Sequence, residues 1–160
     1  MTLIDKTPTM IETADEFGTK VYYGDGMRID LLRTAGAETA KAILFCNDNG
    51  AGELNHDAVQ RVLEAFPQAS VMVRVFDRKH LMEFSSLDLS FAQRELFESA
   101  VVMGRRALKA VGFESSEVER VDKEYRLRDC ERLERQSESG DLHAGLDRSF
   151  SPERSLADPD

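Results

Sequence analysis

The chain of 160 residues, 41% hydrophobic and 32% charged, has the length of one domain with a single core. Its net charge of -9 leaves no basic surface of the kind that phosphate-backbone binding requires, so nucleic acid is not expected as a partner. The apolar runs are only a few residues long, far short of the roughly 20 needed to cross a bilayer, and the amino terminus shows no basic region followed by an apolar core.

In chain order, Thr2 to Ile4 reads as a very short strand, and Thr7-Pro8 opens a helix that runs to about Phe17, with the hydroxyl as cap and Gly18 as terminator. Lys20 to Tyr23 is the next strand, and Met27 to Ala35 the next helix, ended by Gly36. Ala42 to Cys46 is a third strand, followed by a polar loop containing Gly50 and Gly52. Leu54, Ala58, Val62 and Phe66 recur at helical spacing until Pro67, and "SVMVRVF", Ser70 to Phe76, is the most pronounced strand. A short helix near Lys79 to Phe84 and a weak strand at Asp88 to Phe91 follow. The rest is helical. Phe97, Val101, Gly104, Leu108 and Val111 line one face from about Ala92 to Val111, and a highly charged helix runs from Ser115 to Gln136. Beyond it the polar segment up to residue 160 reads as disordered.

Alternating strands and helices with short connections predict an α/β fold, a Rossmann-like parallel sheet with helices on its faces and further helices at the carboxyl end. The boundaries expected are 1–91 for the sheet domain, 92–135 for a dimerisation helix and the charged helix, and 136–160 for the tail. In open parallel sheets ligands sit beyond the carboxyl ends of the strands, and there lie Asp5, Asp25 and Asp48. An aspartate at such a strand end can accept hydrogen bonds from both hydroxyls of an adenosine ribose and repels a 2'-phosphate. Cys46 and Cys130 have neither metal-type nor redox-type spacing and read as free cytosolic thiols. No metal site and no catalytic pairing is evident: Tyr22, Tyr23, Lys20 and Lys41 form no recognisable catalytic spacing, and His80 has no partner four residues on.

The blocks "LIDKTP", "FGTKVYYGDGMRIDLLRTAGAETAKAIL", "FPQASVMVRVFDRKH" and "QRELFESAVVMGRRALKAVGF" follow one another in an order that carries a family resemblance. Over roughly Thr2 to Asp129 the chain resembles the cytosolic KTN (RCK-type, TrkA-N) nucleotide-binding regulatory domain of glutathione-gated potassium efflux antiporters. The resemblance implies NAD(H) or AMP as ligand, a homodimer formed through the helix after the last strand, a membrane antiporter domain on the same or a separate chain, and a place at the inner face of the cell membrane. By the same resemblance Asp5 holds the ribose, Gly24 and Asp25 approach the adenine edge, and Asn47-Asp48 stands where the family usually has Asp-Asp. Arg94 matches the family's glutathione-contacting arginine, and Asp129 stands where the family has a contacting asparagine, so a negative charge replaces a donor.

Members of that family begin one strand earlier, with a G-x-G-x-x-G turn whose helix holds the pyrophosphate. Here Met1 falls within the second strand. A fragment, a start placed too late, or another element filling the gap are the alternatives, and in the first two cases the upstream DNA is expected to encode the strand, the turn and a membrane region. The missing strand belongs in the middle of the sheet, so its neighbours lose their ladder partner. Weak binding of NAD(H) and of glutathione adducts is expected of such a chain. A regulatory module of a potassium antiporter is thus the leading reading, beside an interaction piece without ligand and a non-catalytic relative of Rossmann dehydrogenases.

Overall fold

A computed structural model of the chain describes residues 1–9, 11, 13, 18, 20–47 and 54–148. Two compact units are present, one of residues Met1–Val75 with Ser86–Gln93, the other containing residues 76–85 and 94–148.

In the first unit, β1 (Thr2–Asp5) and β2 (Lys20–Tyr23) pair in parallel, Thr2 opposite Lys20 and Asp5 opposite Tyr23. The helix expected between them lies largely outside the described residues. After α1 (Ile29–Thr34) and a single 3-10 turn at Ala37–Thr39 comes β3 (Ala42–Phe45). It pairs in parallel with β4 (Ser70–Val75), Ala42 opposite Ser70 and Phe45 opposite Val73, across the crossover helix α2 (His56–Ala65). The order β3-β4-β5 is completed by β5 (Phe91–Arg94).

Side chains alternate across a strand, so β4 buries Val71, Val73 and Val75 while Met72 and Arg74 stay half-exposed on the other side. α2 supplies Ala58, Val59 and Val62, with Phe66 just past its end; these recur at helical spacing and are at most 2% exposed. Each such Val or Phe contributes about 1.5–3 kcal/mol by leaving water. Asn55 starts the helix by accepting the Ala58 N–H at 3.0 Å.

Among the described residues the strands form two sheets, β1-β2 and β3-β4-β5, with no ladder between β1 and β3, where the family resemblance implies an intervening strand. Leu44, on the face of β3 opposite buried Ile43 and Phe45, is 61% exposed.

The second unit contains α3 (Arg78–Met82), α4 (Glu95–Ala110) and α5 (Ser115–Ser139). α5 opens with a capping box between Glu114 and Glu117 and buries Val118 completely. It pairs with α4 through the stacked rings of Phe97 and Tyr125, 5.7 Å apart, and through Arg126, which grips both oxygens of Glu98 at 2.8 and 2.9 Å.

Several boundaries move. β5 begins at Phe91, so Arg94 ends a strand and does not lie within a helix. Residues 76–85 group with the carboxyl-terminal helices, across the expected division at 91. α5 continues past Gln136 to Ser139, and a 3-10 turn forms at Leu146–Arg148, where an unstructured tail was expected. Gln136 explains the extension: it is fully buried, which a polar residue tolerates only when its amide is hydrogen-bonded.

Candidate functional site

The carboxyl ends of β1 and β2 are joined by the backbone itself. The Gly24 N–H donates to the Asp5 carbonyl at 2.9 Å, one step beyond the Asp5–Tyr23 pair. The chain then turns into α1 through Gly24 at φ 148°, where a Cβ would lie 2.7 Å from Leu31 Cδ2. Only glycine fits such a corner. Asp5 sits half-buried with one carboxylate oxygen accepting the Thr7 N–H at 2.7 Å, an Asx turn that fixes its orientation. Asp25 is exposed, takes the Met27 N–H on its side chain at 2.9 Å and the Arg28 N–H on its carbonyl at 3.1 Å, and so starts the turn that leads into α1. The junction presents carboxylate acceptors and a close-approach glycine side by side. Such a surface accepts hydroxyl and amino donors.

Asn47 lies two residues past β3, half-buried, and among the described residues no hydrogen bond joins it to Asp5 or Asp25. Asp48 is outside the described residues. Arg74, on the same sheet, donates to the Cys46 carbonyl at 2.8 Å, a local pairing as its strand-end position suggests.

In the second unit Arg94 and Asp129 are in direct contact. The carboxylate of Asp129 is held by Arg94 and by Arg78. Arg94, the last residue of β5, thus reaches a carboxylate on α5, while Glu98 is gripped by Arg126. Arg78 also donates to Gln136 Oε1 at 2.9 Å, and Gln136 Nε2 donates to the Leu142 carbonyl at 2.5 Å. The guanidinium of Arg94 lies 4.0 Å from the centroid of the Phe97 ring. Burial pushes the Arg78 pKa down, against the opposing pull of Asp129. Neither Arg78 nor Gln136 stands out in the sequence, since 51 residues separate Arg78 from Asp129 and no motif links them.

His80 is buried at 4% exposure against Phe84, not a surface residue; Asp77 caps α3 by accepting its N–H at 2.9 Å. Among the described residues no group of three or more His, Cys, Asp or Glu could hold a metal ion.

Comparison with known proteins places this geometry. The family model of the TrkA-N domain matches residues 1–92. The chain belongs to the TrkA-N domain family. A glutathione-regulated potassium-efflux system protein of Haemophilus influenzae is 39% identical over 133 residues, covering 83% of this chain and 21% of that protein. A glutathione-regulated potassium-efflux system protein KefC of Klebsiella pneumoniae is 36% identical over 76% of this chain and 20% of its own length. This TrkA-N chain thus spans about a fifth of the length of the curated relatives it matches. Among solved structures, the Kef carboxyl-terminal domain of Shewanella denitrificans in its AMP-bound form superposes with a TM-score of 0.70 at 29% identity, over 86% of this chain and 83% of that one. The NAD(P)-binding domain of an exopolyphosphatase-related protein from Archaeoglobus fulgidus, at a TM-score of 0.51 and 17% identity over 68% of this chain and 79% of that one, shares the Rossmann-like fold. The α/β, Rossmann-like reading of the sequence is thereby borne out, as is the family. No helix among the described residues is long and apolar enough to cross a membrane.

Proposed function

We propose that this chain is a nucleotide-responsive regulatory module of a potassium efflux (K+/H+ antiport) system, taking AMP or NAD(H) at the carboxyl ends of β1 and β2. The observation that supports it is the Asp5–Gly24 junction in a chain whose relatives are potassium-efflux proteins, one with AMP bound to the equivalent domain. The free oxygen of Asp5 accepts from the ribose hydroxyls, and the glycine corner lets the adenine edge approach the backbone beside Asp25. Asn47, two residues past β3, is a further candidate contact, as its place in the family resemblance implies. AMP and NAD(H) share the adenosine ribose and adenine that this junction would hold. The module acts without turnover, by binding.

Two finer points belong to the same reading. Arg94 is the candidate contact for a glutathione-type carboxylate. α4 pairs with a second copy: Leu96 and Met103, one heptad apart on one face, are 49% and 72% exposed, and Val102 beside them is 56% exposed. The partner on the membrane is an antiporter domain, which puts the module at the inner face of the cell membrane.

Calorimetry with the full chain tests the nucleotide site. AMP is expected to bind with the affinity reduced about tenfold or more by Asp5→Ala, a loss of roughly 1.4 kcal/mol or above, and weakened in the same way when 2'-deoxy-AMP replaces AMP. Binding that ignores both changes rules out the proposed ribose contact. No binding of AMP or NADH at all leaves an interaction piece in place of a nucleotide sensor.

A further inference from the structure

The first unit contains a cavity of about 380 Å³ where α2 turns into β4 and where the chain enters β5. It lies at the amino ends of those two strands and shares no residue with the Asp5–Gly24 junction, which lies at the carboxyl ends of β1 and β2. Leu63, buried Phe66 and Pro67 form its apolar surface. Ser70, Asp88 and Ser90 supply polar groups, and among the described residues no hydrogen bond or ion pair reaches any of these three side chains. Gln68 also borders the cavity; it donates Nε2 to the Ala37 carbonyl at 2.8 Å and keeps Oε1 unbonded.

The lining is charged with one sign only. No Lys, Arg or His belongs to it, and the backbone N–H groups of Ala69, Ser70 and Ser90 are consumed by the carbonyls of Phe66, Lys41 and Val71 at 2.9 to 3.0 Å. An anion would meet the Asp88 carboxylate and no cation to offset it. What the cavity offers is acceptors, one carboxylate and two hydroxyl oxygens among them, beside carbon surface. A bare metal ion uses only the acceptors, and among the described residues no group of three or more His, Cys, Asp or Glu could hold one. An alkylammonium ion uses both kinds of surface. Its three N–H donors match the carboxylate and the two hydroxyls, while its carbon chain lies on the apolar side.

We propose that this cavity is a binding site for a small aliphatic amine in its ammonium form, held by Asp88 with Ser70 and Ser90 and by contact of its carbon chain with Leu63 and Pro67. The site is independent of the nucleotide reading and adds a second, cationic class of ligand to the same unit. Asp88 and Ser90 are exposed, so the ion pair stays partly hydrated and the dissociation constant is on the order of millimolar.

The test is two-dimensional amide NMR of the full chain at fixed ionic strength, titrated in turn with n-butylammonium chloride, 1-butanol, n-butyltrimethylammonium chloride and potassium chloride. Butylammonium is expected to shift the amides of residues 68–70 and 88–90 along one saturable curve. Butanol, which lacks the charge, and butyltrimethylammonium, which lacks the N–H donors, should bind at least about fivefold more weakly, and Asp88→Asn should lose at least about fivefold in affinity for butylammonium. Butanol or butyltrimethylammonium binding as well as butylammonium overturns the proposal, as do an Asp88→Asn variant of unchanged affinity, saturation confined to other residues, or no saturable shift at all. Potassium chloride producing the same shifts overturns the assignment to an amine. Should Asp88→Asn fail to fold, the four ligands compared on the unmodified chain decide the matter. AMP added last reports on the other site through Asp5, Gly24 and Asp25: its silence beside an intact butylammonium curve would sink the nucleotide reading alone, and the reverse pattern this proposal alone.

Discussion

Gly24 combines a φ of 148° with a Cβ position that would lie 2.7 Å from Leu31 Cδ2. Gly24→Ala is expected to cost about 1–3 kcal/mol, from backbone strain and the displaced leucine, read as a lower denaturant midpoint. Gly36→Ala, at φ 99° with open space around it, should cost less, since only the backbone term remains. An equal loss at both would show that the Leu31 contact is unimportant. Cys130 makes a second residue-scale prediction. Although exposed, its thiol is pushed up in pKa by partial desolvation from its neighbours first, and then by the charge of Glu134, to whose Oε1 the thiol donates at 3.7 Å. Only the thiolate alkylates, so iodoacetamide labelling of Cys130 should reach its half-maximal rate at a higher pH than that of an unperturbed cysteine. Glu134→Gln removes the charge and should lower the midpoint of that curve. A midpoint that does not move discards Glu134 as a contributor.

At the scale of elements, α4 and α5 are held together by groups that differ in solvent access. The Phe97–Tyr125 stack at 5.7 Å should show a coupling energy of about 0.5–1.5 kcal/mol in a double-mutant cycle to leucine. Arg126 bridges Glu98 and Asp122, and those carboxylates raise its already high pKa. It is nevertheless 39% exposed, and water screens the pair, so Arg126→Met is expected to cost only about 1 kcal/mol. A loss of 3 kcal/mol or more, the order found when a buried pair is broken, would mean that the pair is far less hydrated than its exposure indicates. Helix periodicity exposed α2 and α4 in the sequence, because Leu54, Val62 and Phe66 or Phe97 and Val101 must share a face. β5 was displaced by three residues, since "LSFAQR" carries no strict alternation and its pairing is decided by β4, which takes the Ser90 N–H on the Val71 carbonyl at 2.9 Å.

For the whole molecule, the net charge of -9 opposes any close approach of two copies, while the exposed apolar residues of α4 favour it. Self-association through α4 should therefore strengthen severalfold between low and high salt, as screening shortens to below about 10 Å. Sedimentation velocity at tens of micromolar reads this directly, and Met103→Glu should shift the chain to monomer. A folded monomer at every salt concentration, or a dimer indifferent to Met103→Glu, would remove α4 as the contact.

The order of strands and helices and the acidic strand ends were legible in the sequence, because each depends on local spacing: apolar residues at periods of two or 3.6, glycine where a helix stops, aspartate where a strand stops; the family was legible only as a resemblance in the order of whole sequence blocks. Asp5 and Asp25 were picked out in this way, Gly24 through the resemblance, and parallel pairing of β1 with β2 brings the three together at one end of the sheet. Arg94 and Asp129 were singled out through the family resemblance, which did not say that they touch each other. Only the tertiary structure brought Arg78 and Gln136 to them, since a buried carboxylate takes whichever cations the packing of distant segments delivers, and no periodicity records contacts 51 and 58 residues apart. The gap between β1 and β3 agrees with the lost ladder partner that the resemblance implied, whereas the pairing of β4 with β5 was decided in three dimensions. A strand's hydrophobic pattern specifies its faces, whereas its edges are specified by which neighbour donates and accepts along the ladder.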